Sequence, residues 1–257
     1  MTYDADMWAR DLAAWAIPPG IVEQASESPW IHPPVLFDVP EVIADTPSHQ
    51  RAREALSEGS SVLDVGCGGG VAAFALTPPA THVIGVDHQS EMLEMFANNA
   101  ASRGVRAETY LGFWPEVAAH VPGADVVTSH HVAYNVSDIV PFIRALHDHA
   151  RRRVVLELPL RHPLSSLSGA WRHFWQIERP TKPTPADLMA VVAEMGISAS
   201  MELWSGTMRV EQDLEQAAHF ARVRLCLAAE REAEVLEYLR SDPPAVTRDL
   251  ATIWWDV

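Results

Sequence analysis

Apolar and polar positions along the chain fall into short runs whose period changes from segment to segment. Asp4 to Ala16 sets Met7, Trp8, Leu12 and Trp15 at helical spacing. Pro18-Pro19-Gly20, Pro29 and Pro33-Pro34 then break regular structure. Trp30, Ile31, Val35, Leu36 and Phe37 are too apolar for a free tail, so this arm is expected to fold back on the body. From Ser60 strands and helices alternate. Ser61–Val65, His82–Val86, Val105–Leu111, Ala124–Ser129 and Arg153–Leu158 read as strands. Val71–Leu76, Ser90–Arg103 and Ser137–Ala150 read as helices, the second capped by Ser90 and closed by Gly104, and Pro115 opens a short one.

Strand–helix units of this size predict a parallel sheet with right-handed crossovers. A long connection follows from Pro159 to Pro183, then a helix from Thr184 or Pro185 to Gly196 and a sixth strand at Ser198–Trp204. Two helical stretches lie between Glu211 and Arg240, and Val246–Trp255 reads as a last strand, expected to pair antiparallel at the sheet edge. The fold class is therefore α/β: a doubly wound, mostly parallel seven-stranded sheet with an antiparallel last strand and helices on both faces. One domain is expected, with an arm or lid (1–50), a core (51–206), a lid loop (160–183), a helical insertion (211–241) and a terminal strand (246–257).

Composition narrows the classes. The 257 residues are 48% hydrophobic, ample for a self-sufficient core. Lys+Arg number 19 against 34 Asp+Glu, a net charge of −15. Nucleic acid is not expected as a partner, because phosphate contacts need clustered Lys and Arg; an anionic membrane is disfavoured likewise. No run approaches the ~20 apolar residues of a membrane span, and no signal-like segment opens the chain. Cys67 and Cys226 form no CxxC pair, which suits a reducing cytoplasm and argues for no metal site.

The sharpest motif is Val62-Leu63-Asp64-Val65-Gly66-Cys67-Gly68-Gly69-Gly70, a strand running into a glycine loop and then a helix. Glycines let the chain turn sharply and a ligand approach the backbone, and the helix start offers free N–H groups. The place of a third fingerprint glycine is taken by Val71, and Asp64 is poorly suited to a pyrophosphate, so a nicotinamide dinucleotide is disfavoured. The second strand ends in Asp87, about 20 residues after Gly66, the spacing of a ribose-binding acid.

VLDVGCGGG followed by VIGVDHQSEML resembles the class I S-adenosylmethionine (SAM)-dependent methyltransferases, over roughly Ser60 to Gly206. The resemblance implies SAM as cofactor. It implies that Asp64 and the backbone of Gly66, Cys67, Gly68, Gly69 and Gly70 face the methionine portion and ribose. Asp87 would hold the ribose hydroxyls and His88 would lie against the adenine. Phe113 stands where many members carry an adenine-binding acid, which leaves aromatic packing by Phe113 or Trp114.

The fourth strand runs out through Ser129, His130, His131 and Tyr134, where the family's segment passes the methyl group. Ser129 or His130 is expected nearer the cofactor, and His131 or Tyr134 nearer the acceptor. The two histidines and Tyr134 are the acid–base candidates. Glu157 reads as a supporting acid or a buried partner for an arginine. After the fifth strand, Trp171, Phe174 and Trp175 share one helical face, an expected aromatic wall over an acceptor pocket to which His162 and Trp30 also belong. Arg161, His162, Arg172 and His173 are candidates for an acidic acceptor. The charged stretch around Arg222, Arg224 and Arg231 reads as a solvated face and a candidate homodimer contact.

Methyl transfer to a small, aromatic or hydrophobic acceptor at O or N is the reading these residues favour. Its rivals are a SAM-binding protein without transferase activity and a protein methyltransferase acting on basic tails.

Overall fold

A computed structural model describes residues 3–30, 37–207 and 213–257. Apolar runs cut by glycine and proline become the strands β1 (Ser61–Val65), β2 (His82–Asp87), β3 (Arg106–Leu111), β4 (Ala124–His130), β5 (Ala150–Pro159), β6 (Ser200–Thr207) and β7 (Thr247–Asp256). They form one sheet in the order β3-β2-β1-β4-β5-β7-β6. The first five are parallel, and β7 runs antiparallel to both neighbours. The last strand is therefore not at the edge, as the sequence led us to expect; it lies between β5 and β6. Its middle residues Leu250–Ile253 are buried, whereas β6 exposes Met201 and Leu203 and makes the edge.

The helices are α1 (Ala5–Ala13), α2 (Pro19–Val22), α3 (Pro47–Arg53), α4 (Val71–Phe74), α5 (Ser90–Arg103), α6 (Ile139–His149), α7 (Ser168–Trp175), α8 (Pro185–Glu194), α9 (Leu214–Arg224) and α10 (Glu232–Ser241). Local chemistry sets several ends. Thr46 and Thr184 cap α3 and α8 with reciprocal side-chain bonds, each followed by proline in the first turn. Gly104 closes α5 in the left-handed region, while the N-cap of α5 is Gln89 rather than Ser90. Around Pro115 the chain turns, and only a short 3-10 helix forms at Ala118–His120.

Two apolar cores follow from this layout. The larger packs the sheet against α1, α6 and α8. Trp8 of α1 is fully buried in it and donates its indole N–H to the Val136 carbonyl at 2.8 Å. The second joins Ile17 and Ile21 to Trp171, Leu225, Val235 and Leu239, and so packs α2 and α7 on α9 and α10. The charged insertion is not only a solvated face: Arg222 is buried, with its guanidinium on Glu232 at 2.9 Å and on Glu27. The start of that insertion at Glu211, and Ile31, Val35 and Leu36 of the arm, lie outside the described residues.

Candidate active site

The glycine loop leaves β1 at its carboxyl end, beside the crossing from β1 to β4 where the strand order reverses. Gly66, Gly68 and Gly70 all take positive φ (73°, 49° and 99°), a region open to glycine and strained for other residues. Gly66 and Cys67 donate their N–H groups to the Val86 carbonyl at 2.8 and 3.0 Å, which ties the loop to β2. A Cβ on Gly69 would run into the carbonyl oxygen of Phe37. The arm thus crosses the loop at Phe37, a contact that sequence spacing gave no means to place.

Asp87 ends β2 and is nearly buried. One carboxylate oxygen accepts the Gly68 N–H and the other the Gln89 N–H, both at 3.0 Å. Each oxygen keeps a lone pair, so the group can still accept from two ribose hydroxyls. His88 stacks on the exposed ring of Phe113, with centroids 5.0 Å apart. Trp114 turns inward instead, its indole N–H on the Phe142 carbonyl at 3.3 Å and its ring edge-on to His149 at 4.9 Å.

Asp64 points away from solvent. Its carboxyl accepts the Thr128 hydroxyl at 3.0 Å and the Ala73 N–H at 3.3 Å, holding the start of α4 to the sheet. Burial pushes its pKa up to about 7, from 3.8. Because the folded protein binds this proton more tightly than the unfolded chain, the stability it contributes is greatest below about pH 4. That contribution is lost as pH rises to about 7. Between pH 5 and 8.5 Asp64 should lower stability by about 2–3 kcal/mol. Urea unfolding at both pH values measures this, and Asp64→Asn should remove that part of the slope; an unchanged slope would refute the burial account. Cys67 is also buried, which raises its thiol pKa well above the usual value.

At the ends of β4 and β5 polar side chains from both strands and from α3 meet. His130 pairs in register with Glu157. His131 then leaves the strand at φ 62°, a strained conformation for a non-glycine residue. Its N–H donates to the Glu157 carbonyl at 2.7 Å, and its Nε2 lies 3.0 Å from a Glu157 carboxylate oxygen. His131 is half exposed, whereas Glu157 is buried. Burial alone would raise the Glu157 pKa; the imidazoles of His130 and His131 and the Ser48 hydroxyl outweigh it and hold the carboxyl well below its usual range. His130 stacks on His49 of α3 at 5.7 Å, and burial takes its pKa down to about 4, so it is neutral at pH 7. The partners of Glu157 are thus histidines, not an arginine. The sequence did not single out Ser48 or His49: a lone Ser-His pair on a short helix carries no local signal.

The remaining candidates are placed as follows. Ser129 is buried and bonds the Val65 carbonyl at 2.9 Å, tying β4 to β1. Tyr134 is buried, donates to the Pro159 carbonyl at 2.8 Å, and lies between Trp8 and His162. His162 stacks on Trp15 at 4.2 Å. Trp171 lies inside the second core, and Trp175 donates to the Leu225 carbonyl at 2.7 Å; their shared face docks on the helical insertion. An aromatic helical face needs an apolar partner, and here α9 and α10 provide it. Trp30 is exposed. Among the described residues no three His, Cys, Asp or Glu side chains converge as metal ligands, and no helix is long and apolar enough to cross a membrane.

A parallel sheet of this order, with a glycine loop after β1 and an acid ending β2, defines the class I SAM-dependent methyltransferase fold. Residues 62–153 match the family model described as "Methyltransferase domain". The chain is 33% identical over 94 residues to the ubiquinone biosynthesis O-methyltransferase of Chromobacterium violaceum, covering 36% of this chain and 40% of that protein. It is 35% identical over 92 residues to the ribosomal protein L11 methyltransferase of an Enterobacter species, covering 35% and 30%. The chain thus spans less than half the length of these curated relatives. Among solved structures, YcgJ of Bacillus subtilis aligns with TM-score 0.55 at 17% identity, over 81% of this chain and 97% of that one. Magnesium protoporphyrin IX methyltransferase of Synechocystis, solved with bound SAH, aligns at 0.50 and 15%, over 80% and 78%.

The residues fit the cofactor. Asp87 keeps free acceptor capacity for ribose hydroxyls, His88 and Phe113 offer an exposed aromatic face for adenine, and the loop brings bare backbone to the strand ends.

Proposed function

We propose that this protein transfers the methyl group of SAM to a small, aromatic or hydrophobic acceptor at an ionisable O–H or N–H. The observation that carries this reading is the contact of His131 with Glu157 at the strand ends beside the glycine loop. SAM supplies a methyl group already activated on a cationic sulfur, so the protein's share is to align the reactants and take a proton. His131 holds Nε2 toward the Glu157 carboxylate, which favours the tautomer with its proton there. Nδ1 is then the basic nitrogen, and it has no partner among the described residues. It receives the acceptor's proton as the new bond forms. Neutral His130, packed behind, adds no competing charge at pH 7.

Incubation with methyl-labelled SAM tests the proposal, with a panel of phenols, hydroxylated aromatics and aromatic amines as acceptors. Label is expected in a small organic product. Label in basic proteins that fades with added salt would point to a protein acceptor instead. Tight SAM binding with no transfer to any acceptor would support a binding protein.

A further inference from the structure

Arg179, in the connection between β5 and α8, stands out among the basic residues. It is only 8% exposed. Its guanidinium lies between two indoles, with its central carbon 5.3 Å from the Trp15 ring and 5.1 Å from that of Trp171. The end of the fork is taken by backbone: one terminal nitrogen donates to the Ala16 carbonyl at 3.4 Å and the other to the Trp15 carbonyl. The side edge is free, because Nε is buried without a hydrogen-bond partner.

No acid answers this charge among the described residues. By contrast, Arg172 in the same connection sits on Glu178, and Lys182 on Asp187 at 2.9 Å. The other deeply buried arginine among the described residues, Arg222, has two glutamates. In a chain with 34 acids and 19 Lys+Arg, a buried cation with no acid is conspicuous. Carbonyls and ring faces offset part of the desolvation of a guanidinium, but neither neutralises it.

Its position links it to the strand ends that hold His131. His162, just past β5, stacks on Trp15 and meets Tyr134 edge-on at 5.3 Å, and Tyr134 belongs to the same loop as His131. Burial and then the charge of Arg179 take the His162 pKa down to about 4, so that ring adds no second cation at pH 7.

We propose that Arg179 is the counter-charge for an organic carboxylate, the acid group of the acceptor, received side-on at Nε and framed by Trp15, Trp171 and His162. Planar carboxylates match the guanidinium edge, and an aromatic acid also suits the indole faces. Identifying the ligand as the acceptor rests on the transferase reading; the anion site itself does not.

Benzoate and its neutral counterpart benzamide are the probes, titrated into the whole protein without SAM. Nε is sealed from solvent, so entry displaces one of the flanking rings, and tryptophan fluorescence reports it. A saturable change with benzoate is expected, with Kd at least about tenfold below that for benzamide. Arg179→Gln should erase the difference between the two probes, and Trp15→Phe should remove most of the signal. Equal affinity for both probes in the unaltered protein, or no saturable change with benzoate, overturns the proposal whether or not the variant folds. A preference for benzoate that survives in folded Arg179→Gln overturns it too. Failure here leaves methyl transfer standing, whereas failure to bind SAM would sink the transferase reading and leave this site intact.

Discussion

Replacing Asp87 with alanine is expected to weaken SAM binding by at least about a hundredfold. Two losses combine. The carboxylate would no longer accept from the ribose hydroxyls, and charge-assisted hydrogen bonds of this kind contribute roughly 1.5–3 kcal/mol each. The same oxygens also organise the cradle, one on the Gly68 N–H and the other on the Gln89 N–H. Without them the loop keeps only its Gly66 and Cys67 bonds to the Val86 carbonyl, and the N-terminus of α5 loses an anchor. Asp87→Asn separates the effects: the amide oxygen can keep one backbone bond but carries no charge, so a smaller loss is expected. Calorimetric titration with SAM or S-adenosylhomocysteine measures both variants. Unchanged affinity in Asp87→Ala would show that the ribose lies elsewhere.

The second large effect concerns Glu157, which acts through His131 and is a positioning residue. Glu157→Gln is expected to slow turnover by about 10²–10⁴-fold while leaving SAM affinity within about twofold. The neutral amide can donate to the imidazole, which favours the opposite tautomer, with the proton on Nδ1, and removes the base. His131→Ala should slow turnover by a similar order. Nitrogen-15 NMR of labelled histidine gives a readout independent of turnover: in the neutral ring, Nε2 of His131 should carry the proton, and Glu157→Gln should move population to Nδ1. Equal losses of SAM binding and turnover would assign the pair to the cofactor side of the cleft. Unchanged turnover would remove it from the reaction.

Much of this architecture can be read from residue pattern alone, for physical reasons. Parallel strands buried on both faces appear as unbroken Val, Ile and Leu runs, and glycine and proline mark their ends. The loop at Gly66–Gly70 and the acid at Asp87 share a short stretch of chain, so their spacing carries information. What could not be read depends on which element meets which. Pairing order is not encoded in alternation, so β7 was expected at the edge although β6 pairs beyond it. Helical spacing of Trp171, Phe174 and Trp175 specifies an apolar face but not its partner, and the helical insertion is that partner. His49, His130 and Glu157 are brought together by the sheet and α3 over long separations, with no motif to announce them. The tryptophans of the arm follow the same rule: Trp8 belongs to the main core and Trp15 covers His162 and Arg179.

A crystal structure with bound S-adenosylhomocysteine tests the central claim most directly. The account predicts the ribose hydroxyls on the Asp87 carboxylate, the adenine against His88 and Phe113, and the sulfur facing the cleft wall that holds His131. A ribose held by other residues, or a sulfur on the far side of the strand ends from His131, would contradict it.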